Sequence, residues 1–203
     1  MCLLIIYLIR HGKTKEDSDG LRQSFHAPLH SDSITFLEAK KDLEDIEFNR
    51  VYSSPQRRAQ QTAEILFPGY ALETLDFIYE YSGPKSLMGK TYAEGIQFWK
   101  EHDKERYDPN WIPDGGESFN DVTDRVRLLT KFLSDNHIDK DRVAIVGHGT
   151  FFQHFLGVVL TGDNYQTNMF FDLLRFVKIL NGTFIKIDYN LKEKRGYLLE
   201  IKN

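Results

Sequence analysis

Leu3-Leu4-Ile5-Ile6-Tyr7-Leu8-Ile9 runs straight into Arg10-His11-Gly12, and Arg142-Val143-Ala144-Ile145-Val146 runs into Gly147-His148-Gly149. Each is a short apolar run rich in β-branched and aliphatic residues, stopped by a turn. That is the pattern of a strand buried on both faces, as in a parallel sheet. Helical patterns lie around them. Phe119, Val122, Val126, Leu129 and Leu133 form one buried stripe within a helix expected over Glu117–His137. Further helices are expected over Ile34–Phe48, from Pro55 to Leu66, over Tyr92–Asp103 and over Thr150–Leu160. Arg50–Ser53 reads as a short strand. Leu173–Leu180, Thr183–Tyr189 and Tyr197–Ile201 also read as strands, with Asn181-Gly182 as a hairpin turn. Strands alternating with helices predict an α/β protein, a three-layer α/β/α sandwich with a mostly parallel, mixed central sheet.

The chain has 203 residues, enough for one large domain with a substantial core. Its formal net charge is −4, which gives no support to a nucleic-acid binder. There is a single cysteine, Cys2, so neither an intrachain disulfide nor a cysteine-rich metal cluster is expected. The apolar run at 3–9 is too short for a membrane span, which needs roughly 20 residues. It also lacks the basic lead and small-residue cleavage site of a signal peptide. A soluble cytoplasmic protein is expected, with no membrane partner.

Two histidines follow two strands. In open α/β sheets, ligands bind at the carboxyl ends of strands, so parallel neighbours would aim His11 and His148 into one crevice. Gly12 and Gly149 let a ligand approach the backbone and its N–H groups. Arg10 adjoins His11. Arg57 and Arg58 lie at the start of the helix after Arg50–Ser53; alone they read as solvated charges, but a guanidinium fork also matches phosphate oxygens.

Four ordered blocks carry a resemblance. Leu8-Ile9-Arg10-His11-Gly12-Lys13-Thr14, Ser53-Ser54-Pro55-Gln56-Arg57-Arg58-Ala59, Gly115-Gly116-Glu117-Ser118 and Val146-Gly147-His148-Gly149 are similar to the signature blocks of the histidine phosphatase superfamily, the phosphoglycerate mutase-like proteins. The resemblance implies one histidine phosphatase-like domain over 1–203, with 70–113 as a cap or insert over the active site. It implies a phosphomonoester hydrolase acting through a phosphohistidine on His11. Arg10, Arg58, His148 and Gly149 would bind the phosphoryl group, and Arg58 matches the family position better than Arg57 because Ala59 follows it. Two arginines and a protonated His148 would supply the positive charge without a metal or other cofactor. Their charge would also resist protonation of His11.

The family also needs a carboxyl group that protonates the leaving oxygen and later takes a proton from water. Glu80, in Tyr79-Glu80-Tyr81-Ser82-Gly83-Pro84, is the best match, and Asp76 is the alternative. Asp17 stands where several members carry Asn and is left out of the phosphate pocket. Ser53 is placed at the pocket wall. Gly12-Lys13-Thr14 is no P-loop, because the required upstream glycine is Tyr7. His26 and His30 flank Pro28 and form no helical metal pair. His102, His137 and His154 read as structural, and Trp99 and Trp111 as packing residues near the roof of the crevice.

The expected activity is that of a metal-independent histidine acid phosphatase-like enzyme acting on a small phosphate ester. The rivals are phosphoglycerate mutase-type phosphoryl transfer and a non-catalytic phosphate-binding module. Neither the substrate nor the oligomeric state is written in these motifs.

Overall fold

The computed structural model describes residues 3–31 and 36–202. Cys2 and the start of the helix expected from Ile34 lie outside them. Among the described residues six strands form one sheet: β1 (Leu4–Arg10), β2 (Arg50–Ser53), β3 (Leu72–Thr74), β4 (Arg142–Gly147), β5 (Phe184–Asn190) and β6 (Arg195–Lys202). Their order across the sheet is β3-β2-β4-β1-β5-β6. The pairings among β3, β2, β4 and β1 are parallel, and β5 and β6 join antiparallel. The sheet is mixed, as the strand-rich tail implies, with β5 and β6 as its antiparallel part.

Side-chain alternation along β1 sorts the two faces. Leu4, Ile6 and Leu8 enter one core with α5 (Phe119–Asn136), α6 (Gly149–Thr161) and α7 (Thr167–Phe176). Tyr7 and Ile9 enter the other with α3 (Arg57–Leu66) and Leu43 of α2 (Phe36–Leu43). Val122, Val126, Leu129 and Leu133 of the predicted stripe are fully buried. The helix carrying them starts after Ser118, which caps it reciprocally with Asp121. Two short elements escape a reading by sequence pattern: α1 (Lys15–Ser18), capped by Thr14 and Asp17, and the edge strand β3. The remaining helix, α4 (Tyr92–Glu101), is capped by Thr91 and Glu94.

Three expectations are corrected. The helix expected from Pro55 begins at Arg57 with Gln56 as N-cap, so Pro55 sits outside it. Leu173–Leu180 is no strand, because Thr167–Phe176 is helical and only the residues beyond it extend. The segment straddles the helix end: Leu173–Phe176 close α7, with Leu174 against a cavity, and Val177 begins the extended chain. Asn181-Gly182 does turn, with Gly182 at φ 75°, but it leads into β5 and joins no two strands. The hairpin is β5–β6, turned through the charged residues that follow Asn190, whose Oδ1 accepts from the Lys192 and Glu193 amides. Among the described residues no helix is long and apolar enough to cross a membrane.

Candidate active site

The register of β1 on β4 sets the site. Arg10 lies opposite Gly147, so His11 and His148 leave the sheet side by side at its carboxyl edge. Their ring centroids are 5.2 Å apart, and both side chains are buried. His11 Nδ1 lies 2.6 Å from the Gly12 carbonyl. A carbonyl only accepts, so Nδ1 carries the proton and Nε2 keeps its lone pair. Arg58 Nε donates to that Nε2 at 3.1 Å. Arg58 is almost wholly buried and also donates to the Ser24 and Phe25 carbonyls, whereas Arg57 points to solvent. Arg10 is anchored through Nη1 to the Ile179 carbonyl. A Cβ on Gly149 would stand 3.4 Å from Arg10 Nε, so a side chain there would press on the guanidinium.

Burial, with Arg58 and Arg10 close by, holds His11 well below its ordinary value of 6.5. His148 is likewise held well below 6.5 by burial and then by Arg58. This corrects the expectation of a protonated His148: as the structure stands it is neutral. An arriving phosphate dianion would favour its charged form. His148 Nε2 pairs with Ser54 Oγ at 2.7 Å. The serine at the site is therefore Ser54, while Ser53 Oγ turns back to the Ser54 carbonyl.

Glu80 is tied to the start of α6. Its carboxylate accepts from the amides of Tyr81, Thr150 and Phe151, the last two in the first turn of α6. Its own amide donates to Gln56 Oε1. Together with Arg10, Arg58 and Thr150, Glu80 lines a cavity of about 460 Å³; exposed Asp76 does not. Asp17 reaches the cavity rim, but its carboxylate caps α1 and accepts from Asn181 Nδ2. Its Oδ1 is 3.9 Å from Arg10 Nη2.

The Gly-Gly-Glu-Ser block does more than start a helix. Glu117 pairs with Arg125 through two bonds of 2.8 Å, and its carboxylate also accepts from the Ser82 amide and Tyr79 hydroxyl. Arg125 Nη1 donates to the Phe77 and Tyr79 carbonyls. The pair therefore grips the backbone on both sides of Glu80. No local pattern announces this clamp, because its partners lie some 40 residues away. Gln56 and Asn181 escape for the same reason. Asn181 Nδ2 donates to the carbonyls of His11 and Gly12, so it braces the acceptor that sets the His11 tautomer. Among the described residues, no group of three or more His, Cys, Asp or Glu could hold a metal ion.

Two histidines and two arginines thus converge at the carboxyl edge of a mixed α/β sheet. The sequence model of the histidine phosphatase superfamily (branch 1) matches residues 6–179, and the chain belongs to that superfamily. The chain is 28% identical over 156 residues to phosphoglycerate mutase-like protein 4 from Arabidopsis thaliana; the match covers 71% of this chain and 66% of that protein's length. The fold resembles the phosphoserine phosphatase of Entamoeba histolytica, with a TM-score of 0.79 at 19% identity, covering 99% of this chain and 98% of the other. It also resembles the alpha-ribazole phosphatase of Shigella flexneri, with a TM-score of 0.76 at 21% identity, covering 98% and 96%.

Proposed function

We propose that this chain hydrolyses phosphomonoesters through a phosphohistidine on His11. The observation that carries the reading is the state of His11: Nδ1 is spent on the Gly12 carbonyl, so unprotonated Nε2 keeps its lone pair, which accepts from Arg58 Nε at 3.1 Å until phosphorus takes that place. A neutral imidazole aimed into a cationic pocket is a nucleophile for phosphorus. Arg10, Arg58, His148 and the backbone at Gly149 neutralise and orient the three equatorial oxygens. Phosphoryl transfer depends chiefly on such positioning and charge.

In the first step Nε2 bonds to phosphorus as the ester P–O bond breaks, and Glu80 passes a proton to the departing oxygen. In the second, water attacks the phosphohistidine, its proton passes to the Glu80 carboxylate, and inorganic phosphate leaves with His11 restored. Glu80 is preferred to Asp76 because it lines the same cavity as the arginines. Within 70–113, Leu72–Thr74 belongs to the sheet, so the role of cap falls to the residues beyond it. The chemistry proposed needs no metal, and a single cysteine suits a cytoplasmic enzyme.

The test is labelling with a phosphoryl donor quenched in alkaline detergent, followed by p-nitrophenyl phosphate turnover in EDTA. An alkali-stable, acid-labile label is expected, absent from His11→Ala, with turnover in EDTA. Folded protein that shows neither label nor turnover on a range of phosphomonoesters would overturn the reading. Label returned to a second substrate hydroxyl instead of water would mark a mutase.

A further inference from the structure

A second cavity opens beside the phosphate site. It has a volume of about 530 Å³ and lies between α4 with the irregular stretch after it, on one side, and α6 and α7 on the other. Arg22, Tyr81 and Thr150 line both cavities, so the two adjoin. Thr150 is also the residue whose amide holds Glu80 Oε2 at 3.2 Å. The junction therefore stands where the leaving oxygen would depart.

The walls are aromatic. Trp99 and Trp111 meet edge to face at 6.0 Å, and Trp99 meets Phe171 at 6.4 Å. His154 stacks on Phe170 at 3.9 Å, and burial drives it down to about 3, so it presents a neutral flat ring. These residues come from three separate segments, yet their rings gather around one space. Cavities lined this way bind flat apolar bodies of small-molecule size.

Unpartnered polar atoms also collect here. Arg22 Nε, Arg106 Nε and His154 Nε2 are buried without a hydrogen-bond partner, and all three residues line this cavity. A buried polar atom without a partner carries a desolvation cost that a polar group of a ligand would offset. Gly95 gives the same message from α4: a Cβ there would lie 2.8 Å from Arg22 Nε and Nη2. A glycine inside a helix weakens it, yet here it makes room for the guanidinium.

Resting on the phosphatase reading, we propose that the second cavity is the leaving-group site. The preferred substrates are phosphomonoesters of alcohols that carry a flat aromatic ring, with Arg22 positioning the connection between phosphate and ring.

Propyl, 3-cyclohexylpropyl and 3-phenylpropyl phosphates test this, because they share one leaving-group chemistry. A kcat/KM for the phenyl ester roughly 30-fold above propyl is expected, equivalent to about 2 kcal/mol. The phenyl ester should also exceed the cyclohexyl ester, and Arg22→Met should shrink the phenyl-to-propyl ratio. A phenyl ester within about threefold of propyl, or no better than cyclohexyl, would overturn the proposal. A second measurement needs neither variant nor catalysis. The chain has two tryptophans, and both line this cavity, so its tryptophan emission reports on that site. Titration of the wild-type protein with 3-phenylpropanol should change the emission saturably, and cyclohexylpropanol should bind more weakly. No saturable change, with p-nitrophenyl phosphate still turned over, sinks the cavity assignment and leaves the phosphatase reading standing. Saturable binding without turnover of any ester does the reverse.

Discussion

The two halves of the proposed site are built differently. The phosphate half sits on strand ends: His11 follows β1, Ser54 follows β2 and His148 follows β4, three neighbours in one sheet. Ladder hydrogen bonds continue into these positions, with the His11 amide on the Gly147 carbonyl and the Ser54 amide on the Val146 carbonyl. The leaving-group half has no such frame. Glu80 lies in irregular chain, held by Gln56, by the first turn of α6 and by the Glu117–Arg125 clamp. Backbone regularity fixes one half, and side chains gripping backbone fix the other. Damage should therefore be local in the first and should spread in the second.

The largest effect belongs to the phosphate half. His11→Ala should remove turnover of every ester by roughly 10⁴-fold or more while leaving the fold intact, checked by steady-state kinetics beside thermal unfolding. An equal loss for good and poor leaving groups is expected; a loss confined to one class would break the division between halves.

Glu80→Gln should divide the esters. Turnover of alkyl phosphates should fall by about 10²- to 10⁴-fold, and that of p-nitrophenyl phosphate far less, since its leaving group needs little protonation. Equal losses would move the acid elsewhere, with Asp76 next to test. Glu117→Gln or Arg125→Met should copy that pattern at about a tenth of the size, although neither residue is assigned contact with substrate. Both members of the pair are largely buried, so either change should also cost about 3 kcal/mol in urea unfolding. A stability loss with no selective loss on alkyl esters would reduce the clamp to a structural pair.

Acid should weaken the fold through both halves. His11, His148 and His154 are all neutral in the folded protein, with values pushed below 6.5. Below pH 6.5 the unfolded chain binds protons that the folded chain refuses, so stability is full above 6.5 and lost as pH falls. Each histidine should contribute about 1.4 kcal/mol per pH unit, continuing for His154 down to about 3. Urea midpoints followed downward from pH 6.5 should show His154→Phe removing about a third of the slope these histidines supply. The slope that remains would belong to the phosphate half. The smallest effect is Gly95→Ala, which should strengthen α4 by up to about 1 kcal/mol. It should also push Arg22 aside and blunt the preference for aromatic esters.

What can be read from sequence follows the same division. Arg10-His11-Gly12 and Gly147-His148-Gly149 are contiguous words at strand ends, so the hydrophobic runs that precede them are enough to place them. Buried Arg58 is separated from exposed Arg57 by the family's Arg-Ala pairing. The leaving-group half depends on contacts such as Arg125 to Tyr79, which no periodicity encodes. Leu173–Leu180 imitates a strand because it straddles the end of α7, so only its first four residues are helical and too few to show the 3.6-residue signal. Ser53 in place of Ser54 is an error of one residue, a shift that alternation along a strand turns into the opposite face.

The place of β1 in the sheet bears on how the protein is made. β1 is bonded on one side to β4 and on the other to β5, and both come far later in the chain. During synthesis Leu4–Ile9 therefore leaves the ribosome as an unpaired apolar strand with both edges open, a segment suited to aggregation. β4 closes one edge once residue 147 has emerged; the other stays open until β5 arrives. The Gly12 carbonyl that sets the His11 tautomer waits equally long for its brace from Asn181. The half of the site most plainly written in the sequence is thus among the last to become whole, and a nascent chain cut short before β5 should be both inactive and adhesive.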